Sequence, residues 1–375
     1  MICTLKYLLI LYAIFLAGCS PFKKDNNKLE TSLKSDTLVS IENDSTKLTF
    51  SLWGGALVSF QDKILRVNPF SWKEANKDTA ENSKNSAVLQ GQFISLGRWS
   101  LPTIGESKLG MPLNGEPANN WWKLEPSKTS KDLKMSCEAP LDGFSITRYV
   151  VISQTAPLFK VTETITNENS TGRSTSIVQN ITLVPPFFEP SVVINSNASV
   201  GFNQLWGLSN PGKFEYNWPK AYVDTLKIGT TDISSFSNRF RYLSSHVFPD
   251  SIGWFTLYNP KLKLLLGYVW KTSDYPWIHF KNEINYGKPL IHGLAFGSAG
   301  LSDKFPFEER TSMTFHGVRN FDFIDAKSSI TKSWYCFLLN TPSGYQKVLD
   351  VSFFADQLVL HVLSYSNVNE IKLSL

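Results

Sequence analysis

From Thr37 onward, apolar and polar residues alternate with a period of two, and clusters of Asn, Gly, Pro and Ser interrupt the alternation. The clearest runs are Lys47 to Leu57, Phe144 to Ile152, Phe159 to Thr166, Gly253 to Tyr258, Lys263 to Trp270 and Ser333 to Leu339. They are rich in Val, Ile, Thr, Phe and Tyr, side chains that suit a pleated, half-buried surface. Successive residues of a strand point to opposite faces, so this pattern predicts strands with one face in a core. No long stretch carries the i, i+3, i+4, i+7 spacing of an amphipathic helix. Tyr345 to Leu363 is ambiguous, because Val348-Leu349 and Phe353-Phe354 could share a helix face. Two further strands are the preferred reading there, with Gln357 to Val362 and Glu370 to Leu375 forming a terminal hairpin. The whole pattern predicts an all-β chain, one large antiparallel β-sandwich. Its long loops, Glu74 to Ser86, Ser100 to Gly115 and Gly207 to Asn238, are where a rigid sheet scaffold would carry a site.

The first residues follow another pattern. Lys6, the apolar run Tyr7 to Phe15 and Leu16-Ala17-Gly18-Cys19 have the layout of a secretory signal, with an apolar core too short to span a bilayer. The L-A-G-C sequence resembles the bacterial lipobox, which implies a cleaved segment 1–18 and lipidation (palmitate among the chains) at Cys19. The polar stretch 19–36 then reads as a flexible tether, 37–340 as the sandwich, and 341–375 as C-terminal strands packed on the same domain. Buried methylenes would hold the protein on a membrane, at the periplasmic or cell-surface side of the envelope.

Composition narrows the function classes. The 375 residues carry a net charge of +5, but no Lys/Arg run exceeds a pair such as Lys23-Lys24. A nucleic-acid footprint needs basic residues clustered on one face, so a nucleic-acid partner is not expected. Cys137 and Cys336 each lie in a strand-like run and read as buried thiols. No C-x-x-C or H-E-x-x-H spacing occurs, so no metal and no other cofactor is expected.

Several segments, in order from Leu48 to Leu339, resemble the galactose mutarotase-like (aldose 1-epimerase-like) superfamily. They are Trp53-Gly54-Gly55-Ala56-Leu57 with Asn68-Pro69-Phe70; Gly91-Gln92-Phe93 running to Gly97-Arg98-Trp99; Gly110 to Glu116 and Trp121-Trp122; Ile146 to Asn167; Gln179-Asn180-Ile181-Thr182 with Pro185-Pro186-Phe187; and WKTSDYPWIHF and HGLAFGSAGLSDKFPF between Trp270 and Phe307. The resemblance implies the superfamily's large sandwich and a carbohydrate ligand.

It also implies a chemistry that the chain does not supply. Mutarotation needs a base for the anomeric hydroxyl proton and an acid for the ring oxygen, with pKa values near the working pH. Relatives place a glutamate where this chain has Ala295, and histidines where it has Asn180, Asn114 and Gln92. Alanine moves no proton and amides do not titrate, although Asn and Gln keep donors and acceptors for sugar hydroxyls. Asp274 and Glu116 are the substitute acid–base candidates; Asp274 reads equally well as a turn residue, and Glu116 as a structural partner of Arg98. Gln92, Arg98, Asn114, Asn180, Asp274, Trp270 and Trp277 are the candidate sugar contacts, with Lys271, Trp99, Trp122 and Phe187 beside them. His279 and His292 read as structural strand histidines more readily than as ligands. The leading expectation is a membrane-tethered, non-catalytic carbohydrate-binding protein. An epimerase with unusual acid–base residues and a structural envelope lipoprotein are the alternatives.

Overall fold

The computed structural model describes residues 38–70, 91–205, 213–222, 230–235, 241–285, 288–302, 314–354 and 357–375, with the backbone alone for 283–285 and 288–292. Cys19 and the loop from Glu74 to Ser86 lie outside these residues, as does the side chain of His292.

Two large antiparallel sheets form the body, as the alternation predicts. The first has ten strands in the order Leu38–Glu42, Thr46–Ser51, Leu57–Asp62, Gln92–Leu96, Ile177–Thr182, Lys288–Gly297, Trp277–Asn285, Tyr242–Val247, Val200–Asn203 and Tyr216–Asn217. The second has eight, Val193–Ser196, Ile252–Asn259, Leu264–Lys271, Ser329–Asn340, Leu158–Asn167, Phe144–Ile152, Asp132–Ala139 and Lys123–Glu125. The run expected from Lys47 to Leu57 is two strands, because Gly54 and Gly55 turn the chain at φ of +72° and +56°. Glycine reaches those angles without the Cβ clash that other residues meet.

Between the sheets lies one apolar core. In Phe144–Ile152 every second residue is buried, and in Leu158–Asn167 the same holds from Phe159 onward. Two of the inward positions are charged and face each other across the ladder: Arg148 and Glu163. The Arg148 Nε donates to Glu163 Oε1 at 2.8 Å, while Gln179 Nε2 at 2.6 Å and the Tyr275 hydroxyl at 3.1 Å donate to Oε2. A buried charge is tolerated only when paired and hydrogen-bonded, and breaking such a pair costs about 3–5 kcal/mol. Gln179 belongs to the first sheet and Glu163 to the second, so this network holds the strand Ile177–Thr182 in place.

A third layer covers the outer face of the eight-stranded sheet. The strands Tyr345–Phe354, Gln357–Ser364 and Asn367–Ser374 form a small antiparallel sheet. Its Val348, Val351, Leu358, Leu360, Val362 and Leu373 pack on Leu158, Trp254, Leu265, Val269, Phe337 and Leu339. The helix-like spacing of Tyr345 to Leu363 has a local cause. Register shifts at Tyr345/Lys347 and Val348/Asp350 each insert a residue, which breaks period two. Cys137 and Cys336 are buried and unbridged.

Candidate functional site

Directly paired residues on antiparallel strands share a face. The registers Phe93–Asn180, Asn180–Ala295, Ala295–His279, His279–Ser245 and Ser245–Phe202 therefore set one row across six strands of the ten-stranded sheet. Ile94, Gln179, Phe296 and Ile278, one residue along their strands, point the other way into the sandwich. The row is on the outer face, and it brings together two of the positions singled out in the sequence, Asn180 and Ala295.

Trp99 covers them. Its indole packs with Ala295, Ala299 and Val178, is 8% exposed, and lies 4.4 Å from the His279 ring between centroids. The indole Nε1 donates to Asn180 Oδ1 at 3.2 Å, and the Asn180 amide donates to Ser95 Oγ at 2.9 Å and to the Val178 carbonyl at 3.2 Å. Ala295 is 7% exposed beneath it.

His279 is held by a relay. Gln204 Oε1 accepts from the Ser302 N–H at 3.0 Å, which fixes Nε2 as the donor to Ser245 Oγ at 2.6 Å and to the Gly300 carbonyl at 2.9 Å. Ser245 Oγ in turn is hydrogen-bonded to His279 Nδ1, 2.9 Å away. Burial pushes the His279 pKa down to about 3, an effect that the Ala299 backbone only partly offsets. The ring is neutral, and its buried Nε2 has no partner of ordinary hydrogen-bond geometry. Ser245 and Gln204 carry no sequence signal of their own. The registers and loops that join them to His279 bridge dozens of residues of chain.

The loop that delivers Trp99 is braced from inside. Arg98 donates to the Leu101 carbonyl at 3.1 Å and pairs with Glu106, in the short helix Ile104–Lys108. Thr103 and Glu106 close that helix with a capping box. Burial alone would raise the Glu106 pKa, but the Thr103 N–H and the Arg98 guanidinium hold it below the usual carboxylate range. Arg98 is thus committed to loop structure.

The other sequence candidates are placed elsewhere. Gln92 pairs with Ile181 on the inward face, and its Oε1 accepts from the Tyr268 hydroxyl at 2.8 Å; its neighbour Phe93 takes the outward position. Trp270 is buried in the core, stacked on Phe296 at 4.2 Å, with Nε1 bonded to the Tyr275 carbonyl. Asp274 accepts from the Ser333 N–H at 3.1 Å, on a strand of the other sheet. Glu116 accepts from the N–H groups of Leu141 at 2.7 Å and Asp142 at 3.3 Å, and burial raises its pKa. Trp277 shares the outer face but is buried among Phe202, Val247, Leu301 and Phe315. Trp122 and Phe187 belong to the main core, and Lys271 is exposed. Asn114 lies in the Trp99 loop at φ +63°, its N–H donating to the Ser100 carbonyl at 3.1 Å.

A perturbed group that the sequence did not reveal is Asp142. Burial, then the nearby Glu116 carboxylate, push its pKa up to about 7. It packs where a side chain on Gly97, at the start of the Trp99 loop, would stand. Among the described residues no group of three or more His, Cys, Asp or Glu is set to hold a metal ion, and no helix is long and apolar enough to cross a membrane.

No protein-family model matches the chain, and no curated protein matches it by sequence. Solved structures do match. A galactose mutarotase-like protein from Clostridium acetobutylicum superimposes with a TM-score of 0.60 at 11% identity, over 81% of this chain and 95% of its own. A galactose mutarotase related enzyme from Lactobacillus acidophilus gives 0.57 at 10% identity, over 81% and 98%. A galactose mutarotase-like protein from Lactobacillus casei gives 0.55 at 13%, over 80% and 100%. At such identities the likeness is one of architecture, and the chain has the galactose mutarotase-like β-sandwich fold.

Proposed function

We propose that this chain is a membrane-tethered carbohydrate-binding protein whose sandwich keeps a sugar-type site without proton-transfer chemistry. The observation that carries the reading is the row Asn180–Ala295–His279. Its one titratable group is a histidine that burial keeps neutral, with a pKa pushed down to about 3. A general base works best with a pKa near the operating pH, and this ring is far below it. The two substitute carboxylates hold backbone N–H groups elsewhere, Asp274 that of Ser333, Glu116 those of Leu141 and Asp142. What remains in the row is hydrogen-bonding capacity beside an aromatic ring, which suits holding a sugar more than isomerising it.

Polarimetry with fresh α-glucose and α-galactose at micromolar protein should give the rate of buffer alone, and acceleration would overturn the non-catalytic reading. Calorimetry against a glycan panel should give heat with at least one member. Silence across the panel would favour a structural envelope role. The tether rests on Leu16-Ala17-Gly18-Cys19 and has its own test. Cys19→Ser should abolish incorporation of labelled palmitate and release the protein from the membrane fraction.

A further inference from the structure

We infer that Trp99 is a displaceable plug: its indole fills the subsite of an uncharged pyranose ring and swings out when that ring binds to Asn180 and His279. The inference rests on the carbohydrate reading above and adds how that site is opened and what class of sugar it takes.

The floor under the indole is built from small side chains, Ala295 and Ala299, flanked by Val178. A flat ring fills that recess, and the indole N–H gives Asn180 Oδ1 the hydrogen bond that a sugar hydroxyl would give. Beside it, the relay from Gln204 through Ser245 holds the His279 ring, whose buried Nε2 has no partner of ordinary hydrogen-bond geometry although the Ala299 backbone lies near it. Buried polar groups in folded proteins are nearly always satisfied, and an orphan costs about 1–3 kcal/mol. Trp99 cannot serve His279, since its one N–H is given to Asn180. Sugar hydroxyls, which both donate and accept, would satisfy Asn180 and His279 together.

The backbone on either side of Trp99 fits a part that moves. Gly97 lies at φ +77°, and Ser100, which has a side chain, lies at φ +144°. Such a conformation costs a residue with a Cβ about 1–3 kcal/mol and persists only when its surroundings impose it. Here the Asn114 N–H, bonded to the Ser100 carbonyl, and the Arg98–Glu106 pair impose it. These braces do not involve the indole, so the Trp99 side chain can leave the recess while the loop stays in place.

The ligand class follows from charge. Phe93, Asn180, Ala295, His279 and Ser245 carry no net charge in this state, and Arg98 is engaged by Glu106 and Leu101. Within the row itself a phosphate or uronate would find no cation to offset its lost hydration, whereas a neutral hexopyranose needs only hydrogen bonds of the kind that Asn180 and His279 offer.

The test uses the full chain labelled with 5-fluorotryptophan, the Trp99 resonance being assigned by its loss in Trp99→Phe, and titrated with the methyl glycosides of galactose, glucose and mannose. The bound glycoside should shift the Trp99 resonance, and Trp99→Ala should bind it about ten-fold tighter, because the closed population no longer competes. A glycoside that binds the wild type with the Trp99 resonance unmoved, or Trp99→Ala affinity within about two-fold of wild type, overturns the plug and leaves the carbohydrate reading standing. If no glycoside binds either protein while free indole still binds Trp99→Ala, the recess is real, the carbohydrate reading fails and the plug falls with it. Should Trp99→Ala not fold, the wild-type resonance decides alone.

Discussion

Each of the two large sheets turns one face to the common core and has the other covered, but the covers differ in kind. Over the eight-stranded sheet lies another sheet, Tyr345 to Ser374, with a continuous apolar contact. Over Asn180, Ala295 and His279 in the ten-stranded sheet lies, among the described residues, the Trp99 indole on a braced loop, resting on an amide and a buried histidine. Apolar area buried by a hydrogen-bonded sheet contributes about 25 cal/mol per Å² and is lost only when the sheet detaches. A single ring above polar groups loses little when a ligand supplies the same contacts. The first cover is permanent structure, and the second has the energetics of a site.

The largest effect that would break this contrast comes from the sealed face. Leu360 is fully buried in the C-terminal sheet, and Leu360→Ala should cost about 2–5 kcal/mol in chemical denaturation. Trp99→Ala removes a larger side chain, yet it should cost less than about 2 kcal/mol, well under the range of about 3–5 usual for a buried aromatic, since its indole covers polar groups on an outer face rather than filling the interior core. Equal costs, or the reverse order, would remove the distinction between the covers.

The contrast extends to acid. Both buried histidines among the described residues, His246 and His279, belong to the ten-stranded sheet, with burial pushing their pKa values down to about 4 and about 3 from 6.5. Below pH 6.5 the unfolded chain binds protons that the native state does not, so stability falls as pH drops from 6.5 toward the folded values. Asp142 works in the opposite sense. With its pKa raised to about 7 from 3.8, its protonated native form gains as pH falls between those values. The histidine contribution is therefore read as a difference. Between pH 6 and pH 5, His279→Gln should lose about 1 kcal/mol less than wild type, measured by denaturation at each pH. Identical slopes would mean that His279 is not held neutral.

Much of the fold was legible because period-two patterning is a local property. Phe144 to Ile152 was read to the residue, and the edges of Gly253 to Tyr258 and Lys263 to Trp270 moved by one. The site was less legible, for a reason that Gln92 makes plain. On a strand, one position decides the face, and the G-Q-F resemblance did not reveal that Phe93, paired with Asn180, faces outward while Gln92 faces in. Asn180 and Ala295 were identified by their motifs, whereas their adjacency is a matter of register between strands far apart in the chain. Trp99 was visible as one of several aromatics. That it fills the recess depends on a loop conformation which Arg98, Glu106 and Ser100 determine jointly.

Gln179 and Asn180 are consecutive, yet one anchors the charged network of the interior and the other lines the outer row. Adding or deleting one residue in Ile177–Thr182 would exchange them, turning an unmatched amide outward and leaving Glu163 without its Gln179 donor. The strand's length is thus locked by the interior, while the identities at its outward positions are free to change. Change in this strand is therefore tolerated as replacement in place and not as insertion.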